Sequence, residues 1–447
     1  MPSRPERPIE IATIRDFTTD GRGVADIPGK TVFVEAALIG ERVRFRRERK
    51  QKNFDQASLV EIIDPSPIRN DPPCNYFGTC GGCSLQHILP LAQIELKQNS
   101  LFQQLKRIGE VEPEGLLEPI SGPDLGYRRR ARLGVRYVEK KSRLLIGFRE
   151  KFKPYVADME SCQTLAPELS ELIPLLEILI GKLSISKKIP QIELTSADNR
   201  IGLVIRVLEK PSTIDLSMLK DFMKEKDLFI WLQDGGPETI QLLTNKASQS
   251  HSQLYYRFPK YDLQLHFGPL DFIQVNSDVN QRMVHQMLKL IDLKPNDRVL
   301  DLFCGIGNLS LPLALKAADV VGVELDPGMA ARAQGNAESN KISNTEFFAA
   351  DLYQDDEVDL SKFDWWQNGF DVVVLDPPRS GAKQVLKSIA LSKARKILYI
   401  SCNPGSMSRD AKELVTQHGY RLVKAGAIDM FPQTSHIEAM ALFERLL

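Results

Sequence analysis

The stretch DRVLDLFCGIGNLS, Asp297 to Ser310, starts as an apolar strand, turns through a glycine loop and ends where a helix opens. Gly305 and Gly307 let backbone amides approach a ligand at a helix N-terminus. A lone Gly-x-Gly is a weak sign, so its surroundings decide. A helical period in NQRMVHQMLKLI precedes it. Strand DVVGVEL, a helix through GMAARAQGNAESN, and strands NTEFFAAD, FDVVVLD and KILYISC follow. Strands alternating with helices predict a parallel, doubly wound α/β sheet. Asp301, Glu324, Asp351 and Asp376 fall on four consecutive strands. The pattern predicts that all four reach one rim, where open α/β sheets bind ligands. YRLVKAGAIDMF and HIEAMALFERL are too close together for a crossover helix and predict an antiparallel pair at the sheet edge.

Outside this region the chain changes character. At 447 residues, 43% hydrophobic and 26% charged, it predicts a globular protein of two or three domains. Residues 1–63 hold five short alternating runs separated by turn signals, the pattern of a small oligonucleotide-binding (OB) β-barrel. DPSPIRNDPP, Asp64 to Pro73, forms a boundary. Residues 64–268 read as a mixed α+β central domain, with a helix near 89–119 expected to pack on the following one; 269–447 form the α/β domain. MPSRPERPIE lacks the apolar core of a secretory signal, and no stretch is long and apolar enough to span a membrane, so a cytoplasmic place is expected.

Net charge is zero, yet residues from Asp271 onward carry 23 acids against 19 bases, leaving the basic surplus upstream. Glu41 to Lys50 holds six bases and two acids; Tyr127 to Tyr155 holds eleven and two, interleaved with Tyr127, Tyr137, Phe148, Phe152 and Tyr155. Bases mixed with aromatic rings suit phosphate neutralisation and base stacking, so an RNA-binding face is expected there. Arg128, Arg130 and Arg132 would share one side of a strand. A solvated basic strand face is the plain alternative.

Six cysteines divide into two groups. Cys74, Cys80, Cys83 and Cys162 are spaced C-x5-C-x2-C with a distant fourth, and in a cytoplasmic chain they argue for ligands over disulfides. By count, four thiolates fit zinc and a [4Fe–4S] cluster equally. His87 is not needed as a further ligand, and Cys304 reads as packing. Cys402 stands apart in YISCNPGS, one step past a strand, where sites begin.

The third glycine of a nicotinamide fingerprint is replaced by Ser310, and the Rossmann-like loop is instead similar to that of S-adenosyl-L-methionine-dependent methyltransferases. LDPPRSG (Leu375 to Gly381), YISCNP, the closing HIEAMALF, FIQVN (Phe272 to Asn276) and CNYFGTCGGC together resemble the RNA uracil-5-methyltransferase family over nearly the whole chain. The barrel looks like a TRAM domain, and barrel, cysteine set and length point to the ribosomal-RNA branch of that family. The resemblance implies methylation of a 23S ribosomal RNA uridine at C5, with S-adenosyl-L-methionine as cofactor. It also implies a [4Fe–4S] cluster on the four cysteines, and Glu438 as general base. Gln274, Phe303, Asn308, Glu324, Asp351 and Asp376 would line the cofactor and substrate pocket. Asp376 and Arg379 would orient the pyrimidine, though Arg379 suits a phosphate equally.

The chemistry asks for the same residues. C5 of uracil is a poor nucleophile until a thiolate adds to C6, and the C5 proton must later leave to a base. Cys402 and Glu438 match those two needs. A catalytically silent RNA-binding or chaperone protein on this scaffold, a redox protein built on the cluster, and a transfer-RNA uracil-5-methyltransferase are the alternatives. No membrane partner and no DNA are expected, and a monomer is assumed.

Overall fold

The computed structural model describes residues 7–18, 20–25, 27, 29–244, 253–354, 357–366 and 369–446; residues 1–6 of the expected barrel, and Pro28 in one of its turns, fall outside them. Five strands close into a barrel: β1 (Ile9–Phe17), β2 (Arg22–Ala25), β3 (Thr31–Glu35), β4 (Arg42–Lys50) and β5 (Phe54–Asp64), in the order β1-β2-β3-β5-β4. Alternation does the work here. In TVFVE the side chains of Val32 and Val34 point inward, and they pack with Ile14, Val43 and Phe45 in a core of their own.

Helix α1 (Pro90–Arg107) follows, then the two-residue strand β6 (Gly115–Leu116). The central sheet comprises β7 (Arg130–Val138), β8 (Arg143–Gly147), β9 (Gln191–Ser196), β10 (Ile201–Arg206), β11 (Leu228–Gln233) and β12 (Gln241–Leu242), in the order β12-β11-β10-β9-β7-β8. Helices α2 (Pro167–Ser170), α3 (Leu172–Lys182) and α4 (Thr213–Glu225) belong to the same region. Leu172, Ile173, Leu176 and Ile180 of α3 are buried in its core. A hairpin of β13 (Leu254–Phe258) and β14 (Leu263–Phe267) leads to the last region.

There α5 (Ser277–Ile291) precedes β15 (Arg298–Leu302), α6 (Ser310–Ala314), β16 (Asp319–Glu324), α7 (Pro327–Ser339), β17 (Thr345–Ala349), β18 (Val372–Leu375), α8 (Lys383–Leu391), β19 (Lys396–Ser401), α9 (Pro404–Gln417), β20 (Tyr420–Ile428) and β21 (Glu438–Arg445). The sheet order is β17-β16-β15-β18-β19-β21-β20-β6. Strands β15 to β19 run parallel, and β21 runs antiparallel to both β19 and β20. The order reverses between β15 and β18, which makes a crevice above their carboxyl ends. β6 lies beside β20 although it precedes the central sheet in the chain. Ile94, Leu101 and Leu105 of α1 enter the same apolar core as β18, β19 and α9.

Candidate active site

The glycine loop needs unusual backbone. Phe303, Gly305 and Gly307 have φ of 67°, 58° and 90°, and a Cβ on Gly307 would stand 2.4 Å from Leu311 Cδ1. The Gly305 amide donates to Glu324 Oε2 (3.0 Å), while Glu324 Oε1 accepts from the amides of Leu325 and Asp326. A carboxylate at the end of β16 therefore holds the loop open. Beside it a cavity is lined by Gln274, Phe303, Asn308 and Asp376, together with Tyr256 and Phe272. Four of the six expected pocket residues thus meet there. Asp351 does not line it; it is exposed past β17, and its Oδ1 accepts from the Tyr353 amide.

The expectation of four acids on one rim needs correction. Asp301 lies within β15, fully buried, and accepts a hydrogen bond from Ser310 Oγ. Burial, with Asp376 and Glu324 nearby, pushes its carboxyl up to about 7. It braces the loop from beneath.

Several residues of this pocket left no mark in the sequence. Tyr256 donates to Asn308 Oδ1 (2.8 Å), and Asn308 also exchanges hydrogen bonds with Asn280. Arg129, 5% exposed, stacks over the Tyr256 ring at 4.6 Å and donates to the Gln274 carbonyl at 2.9 Å. The basic run is accordingly not a single outward face. Arg130 is spent on the carbonyls of Asp271 and Pro269 and on Glu193, so it is corrected to a half-buried tie between regions. Arg132 is largely exposed and pairs with Glu193; Arg128 is half-buried between the rings of Phe148 and Phe431. Arg129 was hidden because a run of four bases reads as surface.

Cys402 follows β19, and the register explains its neighbour. Ser401 pairs with Ala439, and Ile428 of β20 pairs with Glu438, so Glu438 begins β21 beside the thiol's strand end. Asp376 follows β18 in the same row. Glu438 is 6% exposed and its Oε2 has no hydrogen-bond partner. Burial, then Asp376, push its carboxyl up to about 8, with Lys97 pulling down and Asp429 pushing up. Asp376 is raised to about 7 by burial. The Cys402 thiol is raised by burial, Glu438 and Asp376, and lowered by Arg379. Arg379 is exposed; its carbonyl accepts from Asn403 Nδ2 (2.8 Å), which ties its loop to the segment carrying Cys402. Asn403 also caps α9, its side chain accepting from the Gly405 amide, so Cys402 stands between the end of β19 and the start of that helix.

Cys74, Cys80, Cys83 and Cys162 are unpaired and partly buried. Burial pushes Cys80 and Cys83 up to about 11 and 12, and each is raised further by the charges of others in the set. Among the described residues no three His, Cys, Asp or Glu side chains converge as a holder for a metal ion. The segment that follows is anchored elsewhere: the amides of Ser84 and Leu85 both donate to the Gln433 carbonyl, and the Gln93 and Gln433 side chains bond to each other. The cysteine segment thereby braces the loop running into Glu438. His87 is buried nearby with both ring nitrogens unpartnered.

Comparison with known proteins then adds lineage. Residues 92–446 match the family profile described as tRNA (Uracil-5-)-methyltransferase. The chain is 45% identical over 435 residues to the 23S rRNA (uracil(1939)-C(5))-methyltransferase RlmD of Nitrosococcus oceani, covering 97% of this chain and 96% of that one. The protein of the same name from Xanthomonas oryzae is 46% identical with the same coverage. Among solved structures, the Pyrococcus abyssi tRNA (uracil-54, C5)-methyltransferase in complex with S-adenosyl-L-homocysteine aligns with a TM-score of 0.73. It is 25% identical, over 97% of this chain and all of that one.

Proposed function

The chain belongs to the RNA uracil-5-methyltransferase family, and from that premise we propose how its residues methylate a uridine of 23S ribosomal RNA. The enzyme uses S-adenosyl-L-methionine. End-to-end identity of about 45% to relatives named for 23S ribosomal RNA supports that substrate over transfer RNA. The cofactor supplies an electrophilic methyl group; everything else falls to the protein. Gln274, Phe303, Asn308 and Asp376 line its cavity, and Glu324 holds the loop beside it. Cys402 adds through sulfur to C6 of the uracil, and the electrons of the C5–C6 double bond move toward C5 and the O4 carbonyl. C5 takes the methyl group. Glu438 then removes the C5 proton, the double bond re-forms, and the thiolate of Cys402 leaves. The observation that carries this reading is the pairing of Glu438, buried with an unpartnered oxygen, beside the strand end that delivers Cys402.

Arg379, exposed beside Cys402, and Arg128, half-buried above Phe431, are assigned to the target nucleotide. Arg132 joins a more distant RNA surface. The same strand runs on to a cleft of about 720 Å³ lined by Arg136, Tyr137, Lys140, Arg149 and Tyr155 along with Glu139, Glu150 and Asp158; the acids are paired with Lys187, Lys153 and Lys141, and the remaining cations and rings suit single-stranded RNA. We assign residues 1–63 and 64–268 to RNA binding and 269–447 to catalysis, with α1 and β6 built into the catalytic sheet. The four free thiols fit a [4Fe–4S] cluster by donor chemistry, and the hydrogen bonds from Ser84 and Leu85 to Gln433 support a structural role for it. No step above needs an electron.

The test is a pair of variants on unmodified 23S ribosomal RNA. Cys402→Ala should abolish methyl transfer and keep cofactor affinity. Glu438→Gln should transfer the methyl group and stall as an enzyme–RNA adduct that survives denaturing electrophoresis and is lost in the double variant. Methylation by Cys402→Ala above trace level sinks the nucleophile; full turnover by Glu438→Gln without an adduct sinks the base.

A further inference from the structure

Glu438 has a difficult task in its surroundings. It must be ionised to take a proton, yet it is buried and the negative charges of Asp376 and Asp429 both act against its ionisation, with the thiol of Cys402 nearby. The cation that opposes this comes from outside the catalytic sheet. Lys97 lies on α1, 3% exposed, where an ammonium is held only by specific partners. Its Nζ donates to Asp429 Oδ1 at 2.6 Å and to the Phe431 carbonyl at 3.1 Å. Two of its three N–H donors are thus placed, and both acceptors lie on the segment between β20 and β21. Asp429 directly follows Ile428, the residue paired with Glu438. Lys97 and Ile437, the residue before Glu438, line one cavity of about 160 Å³ between the barrel and α1.

We propose that Lys97 is a positioning residue for the proton-abstraction step: its buried ammonium, gripped by Asp429 and Phe431, is the counter-charge that makes the carboxylate form of Glu438 easier to reach. The inference rests on Glu438 being the base. In that step the carboxylate takes the C5 proton, the C5–H electron pair re-forms the C5–C6 double bond, and the Cys402–C6 bond breaks toward sulfur. Lys97 touches none of these atoms. It acts through Glu438 alone, by favouring the charged form over the neutral one.

The charges around Glu438 make opposite variants informative. Without Lys97 the acidic limb of adduct breakdown should move to higher pH, because Glu438 then holds its proton more tightly. Without the charge of Asp429 it should move to lower pH. The experiment measures single-turnover breakdown of the methylated adduct from pH 5.5 to 9 on a transcribed 23S ribosomal RNA fragment. Lys97→Met should shift the limb upward by roughly one unit, accumulate adduct at neutral pH and recover at high pH. Lys97→Arg should stay near the parent. Asp429→Asn keeps an acceptor for Lys97 and should shift the limb the other way; if Lys97→Met does not fold, Lys97→Gln, which keeps hydrogen-bond donors without the charge, should give the same upward shift and decides the matter. Loss of rate by one factor at every pH, or shifts of both variants in the same direction, would overturn the proposal. Glu438→Gln in parallel separates the cases: if it stalls as adduct while Lys97→Met leaves the limb unmoved, the base stands and the role of Lys97 falls.

Discussion

At the scale of single residues, the site is governed by buried carboxyls whose charge is resisted. Asp301 and Asp376 are raised to about 7 and Glu438 to about 8 from ordinary values near 4. The folded state therefore binds protons more tightly than the unfolded chain between about pH 4 and 8. The contribution of these three groups to stability is greatest below that window and falls as pH rises through it. Asp301 gives the clearest case, since it makes no chemical step and Asn can still accept from Ser310. Asp301→Asn should stabilise the cofactor-free protein at pH 8 by on the order of 1 to 3 kcal/mol and do nothing at pH 4. Denaturant melts at the two pH values read this directly; an equal effect at both would mean that Asp301 is not protonating. Tyr256 offers a second test. Tyr256→Phe removes one hydrogen bond to Asn308 and should weaken cofactor binding by about 5-fold, near 1 kcal/mol, with Cys402 chemistry unaffected.

At the scale of elements, the loop between β15 and α6 and the segment between β20 and β21 matter most. Gly307→Ala places a Cβ on Leu311 at a φ of 90°, so the loop must shift and cofactor affinity should fall by at least 10-fold, measured by calorimetry. The segment before Glu438 is held from the cysteine side by Ser84, Leu85 and Gln93. Anaerobically purified protein should be brown, with about four irons per chain. Removing the iron should slow proton abstraction while leaving cofactor affinity in place. Colourless protein with one zinc would replace the cluster and leave the methylation chemistry intact.

At the scale of the whole molecule, RNA must reach a site built where the central region and the C-terminal sheet meet. Lys151 of the central region pairs with Glu35 of the barrel, and Arg69 joins the linker to the buried Glu41. Bases available to RNA away from the target nucleotide include those lining the central cleft. Replacing Arg136, Lys140 and Arg149 by Ser should flatten the plot of log affinity against log salt by roughly 0.7 per lost contact, with cofactor affinity unchanged. The same substitution at Arg130 should instead unfold or loosen the protein, because its guanidinium holds Pro269, Asp271 and Glu193 together. An unaltered salt slope in the cleft variant would move the RNA path onto the barrel.

What the sequence determined by itself was whatever is encoded locally. Period-two and helical patterns foretold the barrel and the α/β sheet, and the glycine loop and the strand that ends before Cys402 were legible in their own residues. These signals survive in one dimension because strand alternation, a left-handed loop and a ligand loop each depend on neighbours within about ten residues. Tertiary structure decided the rest, because burial and pairing depend on residues hundreds of positions apart. It turned Arg129 and Arg130 inward from a run that reads as surface, and withdrew Asp301 from the rim to a strand interior. It also brought Lys97 of α1 to Asp429, 332 positions along the chain. A lysine in a helix carries no mark of the carboxylates it will meet. Its buried charge acquires meaning only when the chain closes around it.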